Sequence, residues 1–277
     1  MLAVSDELAE RDPALAQLAA AAASGFEPPS RARTVLGAAR ALFHGSARHP
    51  RLGQWLGLGY HVAMKKVAVI GSGVVGQVLA DGLLRHGYEV IRASREPSKL
   101  EAWLQSAGPS ASIADFAQAA QRADLVVLAV KGTGAEEAVM ACADGLANKT
   151  VIDTTNPIAS VPPTNGVLSF FTSLDESLME RLQKRAPNAH FVKAFSCVGS
   201  TSMVNPDFGT TKPTMFICGS NAKAKLEATG LLRQFGWDIE DLGAVEAARA
   251  IEPLCMLWCI PGMLGKGWNH AFKLLRA

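Results

Sequence analysis

The sequence lacks the features that mark several classes of protein. Its 277 residues carry a formal net charge of only +2, so no basic field points to nucleic acid as a partner. The five cysteines show neither metal-ligand spacing nor a Cys-x-x-Cys pair, which favours free thiols and a reducing compartment, the cytoplasm. No apolar run approaches the roughly 18 residues that a membrane-spanning helix needs. These absences leave a globular protein that is long enough to bury a core.

Residues 1–63 differ from the rest, because their second half lacks acids. Between residues 28 and 63 every charged residue is an arginine. Three interpretations stay open: a stretch upstream of a true start at Met64, an Arg-rich targeting segment, or a poorly ordered extension. Acids between residues 6 and 12 speak against targeting. In each case we expect residues 64–277 to carry the function, as a dinucleotide-binding domain with a small C-terminal portion from about residue 221.

From Met64 onward, patterns typical of strands and helices alternate. Strands are predicted at residues 66–70, 88–93, 124–130, 150–153, 190–195, 214–218 and 237–242. Helices are predicted after the first strand to residue 86, at 100–107, 113–121 and 222–235, and from 245 onward, with 254–264 as a buried helix end. Apolar strands of this kind suit a parallel sheet that is covered on both faces. The expected fold is therefore a Rossmann-type α/β fold, a doubly wound, mostly parallel sheet with a short C-terminal helical extension.

A glycine-rich segment follows the first strand and opens the first helix. Its residues match the pattern G-x-G-x-x-G, and they are Gly71, Ser72, Gly73, Val74, Val75 and Gly76. The first glycine permits a tight turn, the second lets the backbone approach a pyrophosphate, and the third lets the helix pack against the sheet. The free N–H groups of the helix start suit the phosphates. The segment predicts a dinucleotide site.

The end of the second strand lacks the acid that would bind the ribose 2′-hydroxyl of NAD. Ser94 and Arg95 stand in its place, and Lys99 follows about one helical turn later. A hydroxyl, a guanidinium and an ammonium suit a 2′-phosphate, whereas a carboxylate would repel it. The sequence therefore favours NADP(H) over NAD(H). Arg92 should point to the opposite side of the strand from Ala93, and we interpret it as a surface charge.

Later strands should complete the cleft, because ligands bind at the carboxyl ends of strands in open α/β sheets. Ala129 and Val130 end one of these strands, and Asn156 and Pro157 follow the next. Asn156 fits a turn before proline as well as a cofactor contact. His190 and Lys193 are more typical of surface residues than of proton donors, so we nominate no catalytic residue.

Five segments together resemble one family: KVAVIGSGVVG, ASREPSK, VIDTTNP, VKAFSCVGS and AARAIEPLCML. They are similar to NADP oxidoreductases that use the 8-hydroxy-5-deazaflavin coenzyme F420, and the resemblance covers residues 64 to the late 260s. It implies hydride transfer between NADPH and a flavin-like or deazaflavin acceptor. It also implies that residues 71–76 hold the pyrophosphate and that Ser94, Arg95 and Lys99 hold the 2′-phosphate. In the same way, it implies that residues 156–157 and 193–195, which include Ala194, lie near the nicotinamide.

Ser196 and Cys197 depart from the family pattern after the Ala-Phe pair, which leaves the acceptor open. Two alternatives remain beside the deazaflavin-type enzyme. A β-hydroxyacid dehydrogenase or pyrroline-carboxylate reductase needs a long helical second domain, whereas strand-like segments here persist to Leu242. A non-catalytic NADPH-binding redox sensor would carry the same binding motif. The expected partner is a small redox acceptor, without nucleic acid or membrane, and a homodimer through residues 254–264 is a further hypothesis.

Overall fold

The structure is a computed structural model that describes residues 65–276, apart from the side chain of Ala143. The predictions for residues 1–63 lie outside the described residues. Six parallel strands form the main sheet in the order β3-β2-β1-β4-β5-β6. These strands are β1 (Lys66–Ile70), β2 (Glu89–Ala93), β3 (Ala111–Ala114), β4 (Leu125–Leu128), β5 (Thr150–Asp153) and β6 (His190–Lys193). This strand order confirms the predicted Rossmann-type fold.

Helices cover both faces of the sheet. They are α1 (Val74–Arg85), α2 (Glu101–Ala107), α3 (Phe116–Arg122), α4 (Ala135–Cys142), α5 (Leu178–Arg185), α6 (Ala222–Gln234), α7 (Ala248–Ile251) and α8 (Pro253–Met263). One apolar core joins α1, α2 and α6 to one face, and a second joins α3, α4, α5 and α7 to the other. Residues 67–70 of the central strand β1 are fully buried, because the strand is covered on both faces.

A second parallel pair, β7 (Thr214–Ile217) and β8 (Asp238–Asp241), follows the main sheet. An antiparallel bridge between Lys193 and Cys218 connects this pair to β6. Strands therefore persist beyond residue 214, as the sequence predicted. The α6 helix begins with Asn221, whose side chain accepts a hydrogen bond from the amide of Ala224.

Two predictions about local structure are wrong. Residues 111–114 form the edge strand β3, whereas the sequence predicts a helix that starts at residue 113. Residues 254–264 lie on α8 and its C-terminal end, but they are not a buried helix end: Leu257 and Leu264 are more than half exposed, and Cys255 and Trp258 are the buried side chains of the helix. Among the helices of residues 65–276, none combines the length and the apolarity needed to cross a bilayer.

Candidate functional site

A cavity of about 720 Å³ lies where the carboxyl ends of β1, β2 and β4 meet. The amide of Gly71 donates to the carbonyl of Ala93 at 2.9 Å, and that of Ala129 donates to the carbonyl of Ile70 at 2.8 Å. These bonds bring the turns after the three strands together. The volume lies within the range of cofactor pockets, roughly 300–1,000 Å³, and the position is the one at which open α/β sheets bind ligands.

The turn after β1 requires glycine at two positions. Gly71 has a φ of +143°, and a Cβ atom there would lie 2.1 Å from the carbonyl oxygen of Ala129. A Cβ atom on Gly76 would lie 2.5 Å from the carbonyl oxygen of Gly71. The first turn of α1 can therefore pack directly on the glycine turn. At Gly73, by contrast, a Cβ atom would meet nothing within 4 Å.

The start of α1 is open to a ligand. Gly73 is its N-cap residue, and within residues 65–276 no side chain caps the first amides of the helix. Helices α3 and α5, in comparison, begin with the capping side chains of Asp115 and Ser177. The uncapped amides and the positive end of the helix dipole suit an anion at the position where Gly73 and Val74 line the cavity.

Two cations lie at the β2 end of the cavity, and each contacts an acid. Arg95 Nη1 lies 3.7 Å from Glu137 Oε2, and Lys99 Nζ lies 2.9 Å from Glu96 Oε1. All four side chains are more than 60% exposed, so these ion pairs are weak and exchangeable. Ser94 is buried beside them, and its hydroxyl accepts a hydrogen bond from the Glu96 amide.

The structure brings most of the predicted site residues to this cavity. Those that line it are Gly71, Ser72, Gly73, Val74, Val75, Ser94, Arg95, Lys99, Ala129 and Val130. Gly76 lies behind the turn, and Asn156, Pro157 and Ala194 are outside the lining, with Ala194 fully buried. Sequence reasoning missed one wall, which helices α3 and α4 provide through Phe116, Glu137, Ala138 and Ala141. No local motif marks these positions, because they reach the cavity through helix packing.

A buried ionic cluster lies at the carboxyl ends of β5 and β6. Lys193 Nζ is 2.6 Å from Asp153 Oδ2 and 2.8 Å from Glu252 Oε1, and it donates to the carbonyl oxygen of Thr155 at 2.8 Å. Lys193 and Asp153 are fully buried, and Glu252 is 1% exposed. The interpretation of Lys193 as a surface residue is therefore wrong. A buried charge of this kind is tolerated when it is paired and hydrogen-bonded.

The surroundings of this cluster stabilise its charges. Burial by itself lowers the pKa of Lys193, but the neighbouring charges of Asp153 and Glu252 outweigh burial and raise it. Glu252 also accepts hydrogen bonds from the amides of Leu178 and Met179, the first residues of α5. The positive end of that helix thus contributes to balancing a cluster with two carboxylates and one ammonium. The cluster joins β5 and β6 to α5 and to the residue that precedes α8.

Two polar atoms next to the cluster lack partners in the described part of the chain. They are Asn156 Oδ1 and Ser196 Oγ, both buried. Asn156 follows the Thr155 carbonyl that Lys193 binds, and Ser196 follows Phe195, a residue with a φ of +64°. Non-glycine residues in the left-handed region cluster at functional sites, and a buried polar atom without a partner is available to a ligand. We call this region, the ends of β5 and β6 with residues 154–157 and 195–196, the β5–β6 end.

Comparison with known proteins places the chain in a family. Residues 66–157 match the model for "NADP oxidoreductase coenzyme F420-dependent". A crystal structure from Arthrobacter sp. FB24, described as a candidate F420-dependent NADP-reductase, is 32% identical; the similarity covers 76% of this chain and 100% of that one, with a TM-score of 0.71. The chain belongs to the coenzyme F420-dependent NADP oxidoreductase family. As a member of this family, the protein is an NADP-dependent oxidoreductase.

Other relatives of this NADP oxidoreductase differ more in sequence or length. A hypothetical protein from Sinorhizobium meliloti is 27% identical over 67% of this chain and 87% of its own, with a TM-score of 0.58. Metalloreductase STEAP3 from Rattus norvegicus is 27% identical over 217 residues, 73% of this chain. The chain spans 39% of the length of that curated relative. An imine reductase from Pseudomonas sp., at 22% identity and a TM-score of 0.51, shares the fold.

Proposed function

We propose that the protein transfers a hydride between NADPH and a flavin-like or deazaflavin acceptor. The observation that carries the proposal is the combination, at one cavity, of an uncapped helix start with Ser94 and Arg95 at the carboxyl end of β2, where an NAD-binding site would have an acid. A pyrophosphate fits against Gly73 and Val74, where the N–H groups are free and a Cβ atom would have open space. Gly71 and Gly76 are needed for the turn itself, and Ser72 and Val75 complete the lining.

In this proposal, Ser94, Arg95 and Lys99 recognise the 2′-phosphate on the adenosine ribose of NADPH. The two cations are exposed and paired with carboxylates that a phosphate can displace, because such surface pairs contribute little free energy. Ala129 and Val130 line the same cavity and would contact the ribose and pyrophosphate. Arg95 offers two parallel donors to a phosphate, and Lys99 offers a point charge.

The nicotinamide would then extend toward the β5–β6 end. The cofactor, once bound, supplies the hydride and the electronics of the reaction, and the chain supplies position and exclusion of water. Asn156 offers to an amide donor a side-chain carbonyl oxygen that has no partner among the described residues, and Pro157 and Ala194 are buried. The Asp153–Lys193–Glu252 cluster fixes the peptide of Thr155, next to Asn156. No acid–base residue is assigned, since hydride transfer between stacked rings depends on distance and face.

The test is NADPH consumption by the full chain, followed at 340 nm, with the deazaflavin coenzyme and with FMN as parallel acceptors. Turnover well above the background with either acceptor supports the proposal, and the faster of the two identifies the acceptor class. Tight NADPH binding without turnover by either would contradict it and favour another acceptor or the non-catalytic NADPH sensor. Isothermal titration on the same preparation separates absent binding from absent turnover.

We also propose a cytoplasmic location and a homodimer. The five cysteines are all unpaired in the structure, and unpaired thiols persist in a reducing compartment. Leu257, Met263 and Leu264 on the last helix and its end are 42–54% exposed, and a second copy would remove them from water. Light scattering at micromolar concentration tests the dimer, and a monomer mass there would contradict it.

A further inference from the structure

Arg92 is the fourth of the five residues of β2 and is buried, with 2% of its surface exposed. Its Nη2 donates to the carbonyl oxygens of Ser72 at 3.0 Å and Gly73 at 3.2 Å. Both carbonyls belong to the glycine turn, on the side away from the cavity, since Arg92 is absent from the cavity lining. The interpretation of Arg92 as a surface charge is therefore wrong, and a buried cation supports the turn from behind.

These hydrogen bonds hold two peptide groups in place, the second together with the amide of Gln77, which donates to the carbonyl of Gly73 at 3.0 Å. In a trans peptide the N–H points opposite to the C=O, and the described chain contains no cis peptide bond. Because the carbonyls of Ser72 and Gly73 point toward Arg92, the N–H groups of Gly73 and Val74 point away from it. Gly73 and Val74 both line the cavity. The guanidinium thus orients the donors that a pyrophosphate would use.

Two neighbours hold Arg92 in place. Its guanidinium carbon lies 5.2 Å from the centre of the Trp103 ring, within the range of a cation–π contact. Trp103 Nε1 donates to Asp81 Oδ1 at 2.7 Å. Asp81 lies on α1, so the strand, the helix that follows the glycine turn and α2 are connected through Arg92. Burial lowers the pKa of Arg92 and the charge of Asp81 opposes that shift, but a guanidinium stays protonated in either case.

We propose that Arg92 is a positioning residue for the dinucleotide pyrophosphate, holding the 72–73 and 73–74 peptides with their N–H groups toward the cavity. The inference rests on the proposed cofactor site, but it makes a separate claim. Arg95 distinguishes NADPH from NADH, whereas Arg92 affects every ligand with a pyrophosphate equally.

The experiment compares Arg92→Lys and Arg92→Met with the unaltered chain in isothermal titrations of NADPH, NADH and ADP-ribose. Lysine keeps the charge but replaces the planar guanidinium, whose Nη2 donates to both carbonyls, with a compact ammonium that lacks the flat face toward Trp103. We expect each variant to bind all three ligands about 10- to 100-fold more weakly, the size of losing one hydrogen bond to a charged group. Arg85→Met is the matched control, because Arg85 is exposed at the far end of α1, and it should bind like the unaltered chain.

Three outcomes decide the inference. Equal losses for the three ligands, in variants whose urea midpoints show them folded at the titration temperature, support it. A loss confined to NADPH overturns it, because Arg92 would then act on the 2′-phosphate, and so does affinity within about twofold of the unaltered chain. If neither Arg92 variant folds, Trp103→Phe keeps an aromatic ring beside Arg92 but loses the bond to Asp81, and it should weaken all three ligands alike. Failure of the unaltered chain to bind NADPH would contradict the proposed function instead.

Discussion

The glycine-turn end of the sheet, formed by residues 71–76 with Ser94, Arg95 and Lys99, differs from the β5–β6 end in the groups that form it. At the glycine turn, main-chain amides and exposed cations from one short stretch of chain face a cavity. At the β5–β6 end, Asp153, Lys193 and Glu252 come from distant parts of the chain and are buried together. The first arrangement leaves its charges available to a ligand, while the second satisfies them internally. We therefore expect changes at the two ends to separate into effects on cofactor binding and effects on stability.

The largest expected effect is on stability. Lys193→Met leaves two carboxylates buried without their cation and should lower the free energy of unfolding by about 3–5 kcal/mol. Urea denaturation of the full chain, followed by tryptophan fluorescence, measures it. Lys184→Met is the control, because the Lys184 pair with Glu176 is 70% exposed on the lysine side and should change stability by less than about 1 kcal/mol. A loss no larger than that of the control would show that the cluster does not stabilise the fold.

The contrast between the two ends also explains how far the sequence could predict them. The glycine turn, Ser94 and Arg95 were recognisable because a turn, a helix start and a strand end are local features with fixed spacing. Arg92 and Lys193 were misjudged, since alternation along a strand indicates a side but not what covers it. Both faces of this sheet are covered, so Arg92 and Lys193 near the ends of their strands are buried whichever side they face, whereas Lys66 at the start of β1 stays exposed.

Other differences between the predicted and the observed structure also arise from contacts between distant parts of the chain. The β3 strand contains four residues, ASIA, at the edge of the sheet, too few and too small to outweigh the helical composition that follows. The wall of the cavity formed by Phe116, Ala138 and Ala141 depends on where two helices pack. Glu252 joins Lys193 only through the position of the last helices, which no spacing along the chain encodes.

The second-largest expected effect is on the choice between NADPH and NADH. Arg95→Ala should weaken NADPH binding by about 1.5–3 kcal/mol, the value of a hydrogen bond to a charged group, and leave NADH binding nearly unchanged. Isothermal titration with both cofactors measures the two affinities, with Arg85→Ala as an exposed control away from the cavity lining. Equal losses for both cofactors would mean that Arg95 does not bind the 2′-phosphate.

A smaller effect is expected at the β5–β6 end. Asn156→Ala removes the buried Oδ1 that lacks a partner, so stability should change little. If the side chain contacts the nicotinamide or the acceptor, kcat/KM for the acceptor should fall by about 2- to 12-fold, corresponding to one neutral hydrogen bond of 0.5–1.5 kcal/mol. Steady-state kinetics with saturating NADPH measures it, and Asn188→Ala, an exposed position, is the control. Unchanged kinetics would contradict a contact with the nicotinamide or the acceptor and would favour the interpretation of Asn156 as a turn residue before Pro157.

The smallest expected effect is a gain of affinity at the glycine-turn end. Glu137 contacts Arg95 at 3.7 Å, so a 2′-phosphate bound as we propose would compete with the carboxylate for the same guanidinium. Glu137→Gln should strengthen NADPH binding by about 0.2–1 kcal/mol, the usual value of an exposed ion pair, which is roughly 1.4- to 5-fold. NADH, without the extra phosphate, should gain less. Titrations at low and high salt should show the gain shrinking as salt screens the competition.

The neighbouring residue provides the control for this variant. Glu136 lies on the same helix turn but pairs with Arg185 at 2.8 Å, and it is not part of the cavity lining. Glu136→Gln should therefore leave both cofactors unaffected. If the two variants changed NADPH affinity equally, the gain would reflect the general negative charge at the start of α4 and not the pairing of Arg95. If Glu137→Gln weakened NADPH binding, the carboxylate would be a ligand contact in its own right, and the glycine-turn end would bind through acids as well as cations.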